Sequence, residues 1–134
     1  MALWEAVISN VATSLLPLII LVFGLFARIG LPRRVNFFAG YRTPMACKNQ
    51  ETWAFAHKYV GRLWIILGLV MIIVVIAMLL LIERGTFALE PVTVLLISAV
   101  GTLLCVLLAI IPTEMALRKS FDKNGERRQN GGSR

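Results

Sequence analysis

Residues 63–82 read LWIILGLVMIIVVIAMLLLI, twenty consecutive positions without a charged side chain. About 20 apolar residues in a helix cross a hydrocarbon core of ~30 Å. A helix buried in a water-soluble protein keeps a polar face, and this stretch is apolar all the way round. Two further stretches share the character, Ala6–Phe26 and Val92–Ile111. The chain therefore reads as an all-α membrane protein with three transmembrane helices.

The charges sort themselves around these spans. Of 14 Lys and Arg residues, 13 lie in residues 28–62 and 113–134. The short connector 83–91 carries Arg84 against Glu83 and Glu90. Short cytoplasmic loops collect Lys and Arg. With three crossings, the first connector and the tail share a side, and both are basic. The expected topology is a multi-pass membrane protein with the C-terminus cytoplasmic and the N-terminus outside.

The first span is not read as a cleaved signal peptide: Glu5 precedes it, no basic n-region does, and it exceeds a usual h-region. The +7 net charge suits anionic lipid at the cytoplasmic face, where each basic residue contributes roughly 1 kcal/mol. No recognition motif accompanies it, so no nucleic-acid partner is expected. Cys47 and Cys105 are too few for a disulfide framework. One domain is expected over residues 1–125, with 126–134 as a disordered tail.

Within the spans, Pro17 removes a backbone donor and should kink the first helix. Ser9 with Thr13 and Asn10 with Ser14, each pair four apart, have two readings. They bond to freed carbonyls and neighbouring helices, or they line a polar pocket open to the outside. Gly101, Cys105 and Ala109 form a small-residue stripe suited to packing in the bundle or in a homo-oligomer. Gly61 and Gly68, one heptad apart, give a weaker contact face. No ionisable residue sits at mid-membrane, which argues against an ion-coupled transporter.

The connector carries the densest pattern. Gly40 permits unusual backbone angles and Pro44 forces Thr43 to be extended, so Gly40–Pro44 is expected as an ordered turn presenting Tyr41 and Arg42. Asn49 can cap a helix. Trp53, Ala56, Val60, Leu63 and Trp64 then share one face, with Glu51, His57, Lys58 and Arg62 elsewhere. This predicts an interfacial helix over 49–62 that turns at Gly61 into the second crossing. In the tail, Thr113 is expected to cap a stub helix reaching about Lys123, stopped by Asn124-Gly125.

Gly40-Tyr41-Arg42-Thr43-Pro44, followed by Trp53, His57 and Gly61, resembles the signature of the SdpI family, and Phe121-Asp122-Lys123-Asn124-Gly125 is similar to its short members. The best-known member is a longer immunity protein that guards a cell against its own membrane-active killing peptide and holds a transcriptional repressor at the membrane. The resemblance implies a non-catalytic protein of a bacterial cell membrane that binds or neutralises a toxin peptide and signals to a cytoplasmic regulator. Two other classes remain open: a small oligomeric channel or carrier, and a membrane scaffold binding anionic lipid.

The candidate signature residues are Asn36, Gly40, Tyr41, Arg42, Thr43, Pro44, Glu51, Trp53, His57 and Gly61. Arg42 either binds an anionic group or braces the connector against Glu51 or Glu114. Trp53 is read as an interface anchor in preference to the floor of a cavity under the turn. His57 is read as a hydrogen-bonding interface residue. Cys47, Glu51 and His57 lack paired ligand spacing, so no metal is expected. The single His, without a nucleophile elbow or phosphate loop, leaves no recognisable catalytic set, and no cofactor is expected.

Overall fold

The computed structural model describes residues 3–36 and 38–129. Helix α1 spans Leu3–Arg28, α2 Gln50–Glu83, α3 Pro91–Leu108 and α4 Ile110–Ser120. Among the described residues there is no strand, only an isolated bridge between Phe121 and Arg127. Trp4–Arg28, Gln50–Glu83 and Pro91–Ser120 are each long and apolar enough to cross a membrane. The expected all-α protein with three spans is what the structure shows.

Glycine signals end two of the helices. After α1, Gly30 at φ 86° lets Gly30 N–H reach the Ala27 carbonyl and Leu31 N–H reach that of Phe26. After α2, Gly85 at φ 73° repeats the arrangement with Ile82 and Leu81. Both are Schellman stops, which satisfy carbonyls a helix end would leave bare.

Packing of α1 explains two other features. Pro17 has no N–H for the Thr13 carbonyl four residues back. Ser98 of α3 supplies the missing donor, its hydroxyl 3.2 Å from that oxygen in a buried position. Of the polar set in α1, Ser14 bonds back to the Asn10 carbonyl. The freed carbonyl is thus met from α3 and not by a side chain of this set, and the buried Thr13 hydroxyl has no hydrogen-bond partner among the described residues.

Several expectations are corrected. The interfacial helix over 49–62 is not a separate element, because α2 runs unbroken from Gln50 to Glu83. Gly61 is no hinge: a Cβ there would lie 2.5 Å from Arg28 N and 2.8 Å from the Gly24 carbonyl. It lets α1 press against α2, and Gly68 does the same against Leu21, where a Cβ would meet the backbone nitrogen at 3.0 Å. Thr113 does not cap a stub helix. Pro112 deprives the Leu108 carbonyl of its partner, so the helix breaks at Ala109, and α4 starts at Ile110 with the Thr113 hydroxyl bonded to the Ala109 carbonyl. Finally, Glu126 and Arg128, expected in a disordered tail, are tied to Asp122 and Ser120 by backbone hydrogen bonds. Residues 130–134 of that expectation lie outside the described residues.

The 34 residues of α2 make it about 51 Å long at about 1.5 Å per residue. That exceeds a ~30 Å hydrocarbon core by several turns, so its first turns, with Glu51, Lys58 and Arg62, extend beyond the crossing. Here the buried apolar core gathers: Tyr41 and Ala46 of the connector, Ala56 and Val60 of α2, Ala109, Leu117 of α4 and Phe121. Along the crossings, large apolar side chains face outward instead, such as Phe23, Ile73 and Leu104.

Candidate functional site

The connector is folded by its own short polar side chains. The Asn36 amide oxygen accepts from the Phe38 and Ala39 N–H groups, each at 2.9 Å. The Thr43 hydroxyl accepts from Ala46 N–H, and Cys47 N–H reaches the Thr43 carbonyl. Asn49 caps α2 by accepting from Glu51 and Thr52 N–H, and the Asn49 N–H in turn donates to the Thr52 hydroxyl at 3.1 Å. This reciprocal box satisfies donors that a helix start otherwise leaves open.

Beneath the turn lies a buried stack. Trp53 and His57, one helical turn apart, have ring centroids 4.2 Å apart and are 1% exposed each. Trp53 donates from its indole N–H to the Pro32 carbonyl at 2.8 Å. Trp53 is thus the post under the connector, and the interface-anchor reading is corrected. His57 also faces inward and not toward the interface, because the connector folds back over it.

The His57 tautomer follows from its partners. Nε2 lies 3.0 Å from Tyr41 N–H, which can only donate. Nδ1 lies 2.9 Å from the Trp53 carbonyl, which can only accept. The ring is therefore neutral with its proton on Nδ1. Burial holds its pKa below the ordinary value, opposed by the bond to Trp53. With both nitrogens engaged by backbone, neither is presented to a metal or a substrate. Among the described residues no cluster has the makings of a metal site.

Gly40 is required where it stands. Its φ is 109°, a conformation that costs other residues about 1–3 kcal/mol, and His57 Nε2 occupies the space a Cβ would take. Tyr41 then reaches α4, donating its hydroxyl to Glu114 at 3.0 Å. Burial raises the Tyr41 pKa, and the hydrogen bond and charge of Glu114 add to the rise. Arg42 and Pro44 are exposed on the outer surface of the turn.

The structure thus brings Gly40, Tyr41, Trp53 and His57 into one network, with Asn36 and Thr43 shaping the turn. Glu51 lies outside it, forming an exposed pair with Arg127 at 3.8 Å. Gly61 and Gly68 belong to the α1–α2 seam. Gly101 faces Met71 of α2, Ala109 is in the core, and Cys105, like Cys47, is a free thiol. Sequence reasoning missed Thr52, Gly24, the bond of Ser98 to the Thr13 carbonyl and the Asn49 amide, which donates to the Gly125 carbonyl at 2.7 Å. The capping role of Asn49 was legible from its residue type; its second role needed the tail.

Fold and site together define a multi-pass helical membrane protein whose buried core lies under a polar connector. The family model of the SdpI/YfhL protein family matches residues 33–113, more than half of the chain, taking in the connector, α2 and α3. The chain belongs to the SdpI/YfhL family. The match starts after α1 and ends before Phe121-Asp122-Lys123-Asn124-Gly125. Comparison with curated proteins and with solved structures finds no match. Membership suggests a membrane immunity-type protein.

Proposed function

We propose that this protein is a non-catalytic immunity protein that neutralises a membrane-active killing peptide within or at the bilayer. The family match over the connector and two crossings carries this reading. The buried network unites four of the signature residues, Gly40, Tyr41, Trp53 and His57, in a single structural role. They hold the connector rigidly on α2 and α4, with Arg42 exposed beside them. The connector and tail are joined through Asn49 and Gly125, which agrees with both lying on one side. Their basic character favours the cytoplasmic side.

A signalling role rests on a separate observation. Lys48, Arg118, Lys123 and Arg128 surround a hollow of about 440 Å³ floored by Met45 and Phe121. Four cations against Asp122 suit an acidic segment of a cytoplasmic regulator. The oligomeric channel has less support, since Gly101 and Ala109 of the small-residue stripe are used inside the chain.

The test is survival of sensitive cells challenged with a panel of membrane-active peptides, with wild type and Arg42→Ala present at matched membrane levels. Wild type is expected to protect and Arg42→Ala to protect poorly. Equal killing with and without wild type, for every peptide, removes the immunity reading.

A further inference from the structure

Between α1 and α3 a groove of about 420 Å³ is walled by Ile20, Phe23, Leu103 and Val106, with Trp64 of α2 and Thr102 in its lining. A second hollow of about 340 Å³ runs from Phe23, Gly40 and Trp64, which the two share, up to Pro32 and His57. Together they form one apolar channel along the bundle, open at the side and ending under the signature turn. Each part lies within the about 300–1,000 Å³ typical of ligand sites.

Two residues of this lining each carry a buried polar atom with no hydrogen-bond partner among the described residues: Trp64 Nε1 and Thr102 Oγ1. A threonine hydroxyl in a helix can swing back to the carbonyl four residues earlier. The indole has no such recourse. It is a donor only, and an unmet donor in an apolar setting is costly. Trp64 sits at the connector end of the crossing, the depth at which membrane tryptophans meet headgroups. The acceptors a bilayer offers at that depth are the ester carbonyls of its lipids. Arg28 follows Ala27 in sequence, and Arg33 and Arg34 follow Pro32; Ala27 and Pro32 both line the upper hollow. All three arginines are exposed.

We propose that this channel is a binding site for one anionic phospholipid. An acyl chain fills the α1–α3 groove, an ester carbonyl accepts from Trp64 Nε1, and the phosphate lies among Arg28, Arg33 and Arg34. The occupant is a lipid because the groove opens sideways into hydrocarbon, its one rigid unmet donor lies at ester depth, and the charge beside its mouth is positive. The assignment is independent of toxin neutralisation.

The test is native mass spectrometry of the full chain in detergent, titrated with phosphatidylglycerol or with phosphatidylcholine of the same acyl chains. Wild type is expected to retain one phosphatidylglycerol, at least fivefold tighter than phosphatidylcholine. Ala99→Phe, which fills the groove, should weaken binding at least tenfold, and Trp64→Phe at least threefold for both lipids. Neutralising Arg33 and Arg34 together with glutamine should close the gap between the lipids. Ile73→Phe, on an outward face of α2, should bind as wild type, and circular dichroism on every variant confirms the fold. Retention of phosphatidylglycerol by Ala99→Phe as tightly as by wild type overturns the site. If Ala99→Phe keeps its lipid yet loses peptide protection, the groove belongs to a peptide and the lipid assignment falls.

Discussion

His57 is held between two backbone groups that cannot exchange roles, a donor at Tyr41 and an acceptor at Trp53. Protonating Nε2 would set N–H against N–H and place a charge in a buried site. The folded-state pKa accordingly lies below the ordinary value, with burial as the main cause. Because the unfolded chain takes up this proton first, stability is complete above about pH 6.5 and falls as pH drops from there toward the folded value. Thermal unfolding in detergent, followed from about pH 7.5 down to about pH 5, should show this decline for wild type. In His57→Gln the decline over that window should flatten, whatever the overall loss of stability. An unchanged slope would mean that another group titrates. The residue types of this network were legible in the sequence; their arrangement was not. A helical wheel puts His57, four positions after Trp53, on the same face as Ala56 and Val60, so the expectation that it projects elsewhere is not what the spacing gives; what nothing local signals is a connector returning over that face from 16 positions away.

At the scale of the elements, the glycines divide by what they touch. A Cβ at Gly61 would collide with α1 backbone, 2.5 Å from Arg28 N, and backbone cannot turn aside. A Cβ at Gly101 would meet the Met71 Cε at 2.9 Å, the free end of a flexible side chain. Gly61→Ala should therefore force α1 and α2 apart and cost about 1–3 kcal/mol. Gly101→Ala should be close to neutral, because the higher helix propensity of alanine, up to about 1 kcal/mol, offsets the shift of Met71. Unfolding in mixed micelles measures both, and equal losses would contradict the assignment. The three spans were visible because twenty uncharged residues have few other uses. The seam was not, because Gly61 beside an amphipathic segment looks alike as hinge and as contact. Only the partner distinguishes them, and Gly24 on α1 carries no pattern that points to it. The helix stops were partly hidden for another reason: a proline such as Pro32 is the more conspicuous terminator, while Gly30 makes the stop two residues earlier.

Across the whole molecule, stability is concentrated at the connector end. The crossings bury few side chains against one another, and their exposed apolar faces need only lipid, whereas Leu117 is fully buried and Phe121 is 1% exposed. Phe121 meets Phe55 edge-on with centroids 5.4 Å apart, and it opens the tight loop in which Gly125 docks on Asn49. The tail is therefore a clasp that joins the end of the third crossing to the start of the second. Truncating a buried aromatic typically costs about 3–5 kcal/mol, and a buried leucine about 2–5 kcal/mol. Phe121→Ala and Leu117→Ala should each lose amounts in that range and open the chain after Ser120 to protease. Leu104→Ala, on a face 51% exposed, gives up no such core and should remain within about 1 kcal/mol of wild type, since substitutions away from buried features change little. Protease accessibility distinguishes a clasp from a merely packed tail: if Phe121→Ala destabilises the protein but leaves the connector as resistant as before, tail and connector are separate units. If both become sensitive together, the core under the signature turn is one cooperative structure, and the rigidity of the turn depends on a tail that docks on Asn49 from 76 positions further along the chain.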